Sequence, residues 1–120
     1  MAMDSETVRL CIEGTQAEFK GYPNLARDLY WRAWQAAADD YDACVAAHYV
    51  ARFQPDARGA LEWNLVALAR ADALGGEHAL AFYPSLYVNL GHSYEMLGEQ
   101  SLADKYYNLA SWLGLTHKAE

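Results

Sequence analysis

The apolar positions of the chain recur mostly three and four residues apart, and short segments rich in Gly, Pro, Asp or Asn interrupt them. Residues at that spacing lie on one face of an α-helix. No stretch alternates apolar and polar residues with β-branched enrichment, so we expect an all-α fold. The pattern predicts six helices, at about residues 5–19, 25–38, 41–53, 57–74, 77–97 and 100–113.

Several residues predict where these helices begin and end. Ser5 is placed to cap the first helix, the acidic segment at residues 39–42 is a short turn that carries N-cap residues, and Pro55-Asp56 opens the fourth helix. Gly75-Gly76 ends the fourth helix. Pro84 lies inside the fifth predicted helix, which runs from about Glu77 to Leu97, so the helix either starts there or kinks there. Short turns between the helices predict antiparallel pairs.

Small and aromatic residues recur in phase along the chain, which indicates an internal repeat. The first two units are offset by 34 residues and the next two by 43. Small residues clear the crossing of two packed helices, and the aromatic ring fills the space that they leave. The four sets of matching positions are Gly14, His48 and Gly91; Ala26, Ala60 and Ala103; Tyr30, Asn64 and Tyr107; and Ala33, Ala67 and Ala110.

The third unit carries Tyr87, Leu90-Gly91 and Tyr94, followed by Ala103, Tyr107 and Ala110. This pattern resembles the tetratricopeptide repeat (TPR) family, as a short bacterial-type protein with about three repeats. The middle unit departs from it, and the family's terminal Pro is absent from all three units. The resemblance implies one domain, residues 1–120, with antiparallel helix pairs stacked as a short right-handed superhelix. Its repeats would span about residues 7–40, 41–74 and 84–117.

Composition and charge restrict the class of partner. The net charge is −7 and the pI is near 4.9, which argues against binding nucleic acid or anionic lipid. Cys11 and Cys44 belong to no disulfide or C-x-x-C pattern, so we expect reduced thiols. The first ten residues lack the features of a signal peptide, and no segment has the about 18 apolar residues of a membrane span. We therefore expect a cytoplasmic protein.

We find no pattern typical of catalysis. No two histidines stand at i, i+4, and there is no H-E-x-x-H, phosphate-binding Gly-rich loop or G-x-S-x-G elbow. A zinc site from Cys11, Cys44 and His48 would need distant helices to converge. We expect no enzyme activity, no metal and no cofactor.

The resemblance implies that the first helix of each pair lines a concave groove that binds a peptide or protein. Each groove residue could equally be an ordinary, partly exposed helix residue. The carboxylate clamp of chaperone-binding relatives is not expected, because no Lys or Arg occupies the matching positions. The groove positions carried over here include Thr15, Val45, Tyr49, Arg52, Val88, Asn89, His92 and Glu95.

Two alternative functions remain open. No polar capping helix follows the sixth helix, so its apolar face could be exposed and form a homodimer, or it could pack under the fifth helix. A third hypothesis is a small-ligand-binding or enzymatic helical protein that uses His48, His92 and nearby tyrosines. The residues of the candidate oligomer face are Tyr106, Leu109, Trp112 and Leu113.

Overall fold

The computed structural model describes residues 5–114, and every regular element within that range is a helix. The prediction of an all-α fold is confirmed. The helices are α1 (Glu6–Phe19), α2 (Pro23–Ala36), α3 (Asp40–Arg52), α4 (Ala57–Leu74), α5 (Gly76–Leu80), α6 (Tyr83–Met96) and α7 (Gln100–Trp112).

Three of these helices begin at the polar residue that the sequence places there. The side chains of Ser5, Asp39 and Asp56 each accept a hydrogen bond from the backbone N–H three residues further on, at 3.1, 2.8 and 2.8 Å. Each bond satisfies one of the four N–H groups that a helix leaves unpaired at its start. The boundaries of α1, α3 and α4 therefore follow from local sequence.

The helices pack as neighbouring pairs: α1 on α2, α3 on α4, and α6 on α7. Contacts of α2 with α3 and of α4 with α6 join one pair to the next, and α1 also contacts α3. Ala33, Ala67 and Ala110, which match one another in the repeat, are each fully buried. The pairs therefore stack in chain order into a helical-repeat-like fold.

The two outer pairs cross at a glycine and a tyrosine. A Cβ at Gly14 would overlap the ring of Tyr30, and a Cβ at Gly91 would lie 2.7 Å from Cδ1 of Tyr107. Both tyrosines are buried. The ring of each one thus fills the space that the missing side chain leaves.

The predicted span from Glu77 to Leu97 forms two helices, which decides between the two alternatives that the sequence left open at Pro84. The short helix α5 ends at Leu80, and α6 begins at Tyr83. Pro84 lies in the first turn of α6, where a helix does not need the missing N–H. Of the two alternatives, the helix starts at the proline and is not kinked by it.

The core has two parts, with tryptophan side chains packed against both. One cluster forms among α1, α2 and α3, and the other among α3, α4 and α6. Trp34 and Trp63 pack against both clusters, and their rings meet edge to face at a centroid distance of 5.0 Å. None of the helices in the described part of the chain is long and apolar enough to cross a membrane.

Candidate functional site

The middle pair, α3 and α4, lacks the glycine and the tyrosine of the outer pairs. His48 stands at the glycine position and Asn64 at the tyrosine position. Asn64 is as buried as the tyrosines, with 5 % of its surface exposed, but its carboxamide is much smaller than a phenol ring. A cavity of about 440 Å³ opens beside Asn64.

This cavity, the Asn64 cavity, lies between α3, α4 and α6, and both polar and apolar side chains line it. The α3–α4 connection forms its fourth wall. Its lining residues are His48, Ala51 and Arg52 from α3; Gln54, Pro55 and Asp56 from the connection; Ala57, Ala60 and Asn64 from α4; and Asn89, His92, Ser93 and Met96 from α6.

Asn64 and Ser93 form the buried polar part of this cavity. Nδ2 of Asn64 donates a hydrogen bond to Oγ of Ser93 at 3.3 Å, and both side chains are buried. Oδ1 of Asn64 is also buried, and it has no hydrogen-bond partner in the described structure. A buried acceptor without a partner costs about 1–3 kcal/mol. The middle pair therefore carries a destabilising feature at the cavity.

The rim of the cavity holds the polar groove residues that the sequence predicted. Nδ2 of Asn89 lies 3.4 Å from Nδ1 of His48, and His92 is exposed. Nη2 of Arg52 donates to Oε2 of Glu18 on α1 at 3.0 Å. These contacts connect α3 to α6 on one side and to α1 on the other.

Two further cavities continue the same face. Arg52 also lines a cavity of about 410 Å³ with Thr15, Glu18 and Phe19. His48 also lines a cavity of about 270 Å³, whose walls include Val45 and Tyr49. Six of the eight predicted groove residues therefore line three cavities that share walls along α1, α3 and α6. They are Thr15, Val45, Tyr49, Arg52, Asn89 and His92.

The other two predicted groove residues are placed differently. Val88 is fully buried, so including it in the groove was wrong. It stands three residues before Gly91, as buried Cys11 stands before Gly14, and residues three apart share one helix face. That face packs against the second helix of the pair. Glu95 is exposed, and its carboxylate accepts a hydrogen bond from the hydroxyl of Tyr107 at 2.8 Å.

The candidate oligomer face also divides into two parts. Trp112 and Leu113 are 89 % and 51 % exposed, and Leu109 is exposed on the same helix. Tyr106 instead stacks on Tyr94 of α6, with ring centroids 5.7 Å apart. The open apolar surface is therefore smaller than the sequence indicated.

Both cysteines are buried near the groove, and Cys44 lines the same cavity as Val45 and Tyr49. Cys11 and Cys44 are buried, and burial raises the pKa of each to about 12, with the carboxylate of Asp42 adding to the effect at Cys11. Within residues 5–114, no three His, Cys, Asp or Glu side chains are grouped so that they could hold a metal ion.

Sequence reasoning did not select Asn64 or Ser93 as site residues. The signal for Asn64 was nevertheless visible, because it replaces the aromatic residue at a position where the other two units have tyrosine. Comparison of the chain with protein-family models, with curated proteins and with solved structures gave no match.

Proposed function

We propose that the protein is a non-catalytic helical-repeat module of the tetratricopeptide type, which binds a peptide or a segment of a partner protein. The binding surface is the groove along α1, α3 and α6. The observation that carries this proposal is the continuity of the three cavities, since Arg52 lines two of them and His48 lines two. A series of connected pockets suits an extended chain better than one small molecule.

The side chains of the groove supply what an extended peptide needs. Asn89, His92 and Arg52 offer hydrogen-bonding groups for a peptide backbone, while Val45 and Tyr49 offer apolar surface. Arg52 is already paired with a carboxylate, so the groove presents no concentrated positive charge. The location that we propose is the cytoplasm, on the basis of the two unpaired, buried thiols.

The test is selection of binders from a displayed library of random peptides, followed by titration of one selected peptide. His92→Ala and Arg52→Ala should each weaken binding by about tenfold, which corresponds to about 1.4 kcal/mol. His78→Ala and Arg32→Ala are the matched controls, because these side chains are exposed and lie outside the three cavities. Full affinity in both groove variants would contradict the proposal.

A second candidate function is self-association through α7. The observation that favours it is the exposure of Trp112, since a ring that is 89 % exposed beside exposed Leu113 is typical of an interface. Light scattering after size exclusion tests it. A dimer that Trp112→Glu splits, and that Leu80→Glu leaves intact, would support this function. A wild-type monomer at micromolar concentration would rule it out.

A further inference from the structure

We propose that the Asn64 cavity is a specificity pocket for a primary carboxamide, the side chain of a glutamine or asparagine in the bound peptide. This inference rests on the proposed peptide-binding function and names the side chain that the groove selects. The observation behind it is the buried amide of Asn64, of which only one end has a partner.

The missing partner does not depend on which way the amide is turned. As placed, Nδ2 donates to Ser93 and Oδ1 is unpaired. Exchange of the two atoms would let Oδ1 accept from the serine hydroxyl and would leave the NH₂ group unpaired. A primary carboxamide carries two N–H donors and one carbonyl acceptor, so it complements the free end in either case.

Asn64 lines the cavity, so a group bound there can supply the partner. Because Oδ1 is itself buried, binding requires that the amide turns about its last side-chain bond until this atom faces the occupant. The cavity of about 440 Å³ is many times the share of a water molecule, about 30 Å³. A glutamine side chain therefore has room, with its methylene groups against Met96 and Pro55.

The charges around the cavity argue against a charged occupant. Arg52 is paired with Glu18 at 3.0 Å, and the carboxylate of Asp56 accepts the backbone N–H of Gly59 at 2.8 Å. A charged group at Asn64 would lose its hydration without gaining a free counter-charge. An apolar group would leave Oδ1 of Asn64 without a hydrogen-bond partner. The remaining class of occupant is a neutral group that has both hydrogen-bond donors and a hydrogen-bond acceptor.

The rim supplies partners for the second end of the carboxamide. Asn89 and His48 lie within 3.4 Å of each other at the side of the cavity, and exposed His92 stands one helix turn after Asn89. A carboxamide that donates to Oδ1 of Asn64 can accept from Asn89 or His92. Both ends of the ligand group are then satisfied, which is how a buried polar contact gives specificity.

Titration of the ¹⁵N-labelled protein with propionamide, a model of the glutamine side chain, tests the pocket directly. We expect saturable shifts of the Asn64 side-chain NH₂ and of the Ser93 backbone amide. N,N-dimethylpropionamide has no donor and propionate is charged, so both should bind at least tenfold more weakly. The absence of a saturable shift, or equal shifts with the three probes, would overturn the inference. All three titrations use the wild-type protein, so the result does not depend on whether a variant folds.

A pair of variants provides a second, independent test of the pocket. Asn64→Leu should abolish the propionamide shift at Ser93, while Asn108→Leu, at an exposed site on α7, should leave it unchanged. Propionamide binding that survives Asn64→Leu would contradict the assignment.

The peptides selected for the groove separate this inference from the proposed function. We expect one position enriched in Gln or Asn, where exchange for Glu weakens binding to the wild type but not to Asn64→Leu. Peptides that bind the groove without this preference would contradict the carboxamide pocket but would still support the proposed peptide-binding function. Propionamide binding without any peptide binding would contradict the proposed peptide-binding function. The occupant of the pocket would then be a small molecule that carries a carboxamide.

Discussion

The ring of Tyr107 occupies the space that a side chain at Gly91 would need. The hydroxyl of this tyrosine then reaches Glu95, one turn further along the glycine's helix. The first pair repeats the arrangement with Tyr30, Gly14 and Glu18. The two outer pairs are therefore held by the same contact, in which a ring packs on the helix backbone and a hydroxyl is tied to a carboxylate.

Alanine at either glycine should destabilise the protein. The added Cβ would overlap the tyrosine ring at both Gly14 and Gly91, and overpacking of this kind costs about 1–3 kcal/mol. That cost exceeds the about 1 kcal/mol that alanine gains over glycine in a helix. Chemical denaturation of Gly14→Ala and Gly91→Ala should show the loss as a lower midpoint with an unchanged slope.

Gly59 is the control for these substitutions. It also lies in a helix, but a Cβ there would first meet the end of the flexible Gln54 side chain, at 3.0 Å. Gly59→Ala should leave stability unchanged or raise it by about 0.4–1 kcal/mol. Equal losses at all three glycines would mean that the tyrosine rings are not the cause.

Stability should fall at alkaline pH because two tyrosines have raised pKa values in the folded protein. Burial and the hydrogen bond to Glu95 raise the pKa of Tyr107 to about 12, and the hydrogen bond to Asp72, followed by burial, raises that of Tyr83 to about 12. A folded-state pKa above the unfolded value of about 10 stabilises the protein below pH 10. This contribution is lost as the pH rises from about 10 towards 12.

The measurement is urea denaturation at pH 8, 10 and 11. Tyr107→Phe should lose about 1 kcal/mol at pH 8, because the bond to Glu95 is gone, and should then fall less steeply than the wild type above pH 10. Parallel decline of the wild type and this variant would show that Tyr107 does not contribute to the alkaline loss.

The two cysteines should be unreactive in the folded protein. The thiolate is the reactive form, and a pKa of about 12 leaves very little of it at pH 8. Iodoacetamide should label neither Cys11 nor Cys44 in native buffer, and both in urea, as read by intact-mass spectrometry. Labelling of either thiol at the rate of a small free thiol, without denaturant, would contradict the burial.

The amide at Asn64 should reduce stability in the absence of a ligand. Removing both members of the Asn64–Ser93 pair, as Asn64→Leu with Ser93→Ala, should leave the free energy of unfolding unchanged or raise it by about 1 kcal/mol, because no polar atom is then left unpaired. Ser93→Ala alone should lower it by about 1–2 kcal/mol, since Nδ2 of Asn64 then loses its partner and neither end of the amide has one. A double variant less stable than either single variant would contradict this account.

Local sequence rules predicted much of the fold, and their limits show in particular residues. Ser5, Asp39 and Asp56 cap helices as expected because a cap depends on the next three residues alone. Pro84 allowed two outcomes, since the same ring can begin a helix or kink one. Val88 was misplaced because the repeat pattern gives a position along the helix and not its burial, and Val88 is fully buried.

Local sequence rules could not predict the Asn64 cavity, for a different reason. Its walls come from three helices and one connection, so its existence depends on how two pairs stack. The sequence showed that Asn64 and His48 break the repeat, but it did not show that Ser93 of the next pair would meet Asn64. Six of the eight predicted groove residues line the cavities, whereas Val88 and Glu95 do not, and the sequence did not indicate the buried Asn64–Ser93 contact.

The position of this cavity in the stack has a consequence for redesign. In a linear stack each unit is stabilised by its own packing and by its neighbours, so an inner unit has two supporting interfaces and an outer unit has one. The irregular pair here is the inner one, with α2 against α3 on one side and α6 against α4 on the other. New recognition should therefore be engineered by varying His48, Asn64 and their surroundings, while the glycine–tyrosine contacts at both ends stay unchanged as a fixed frame.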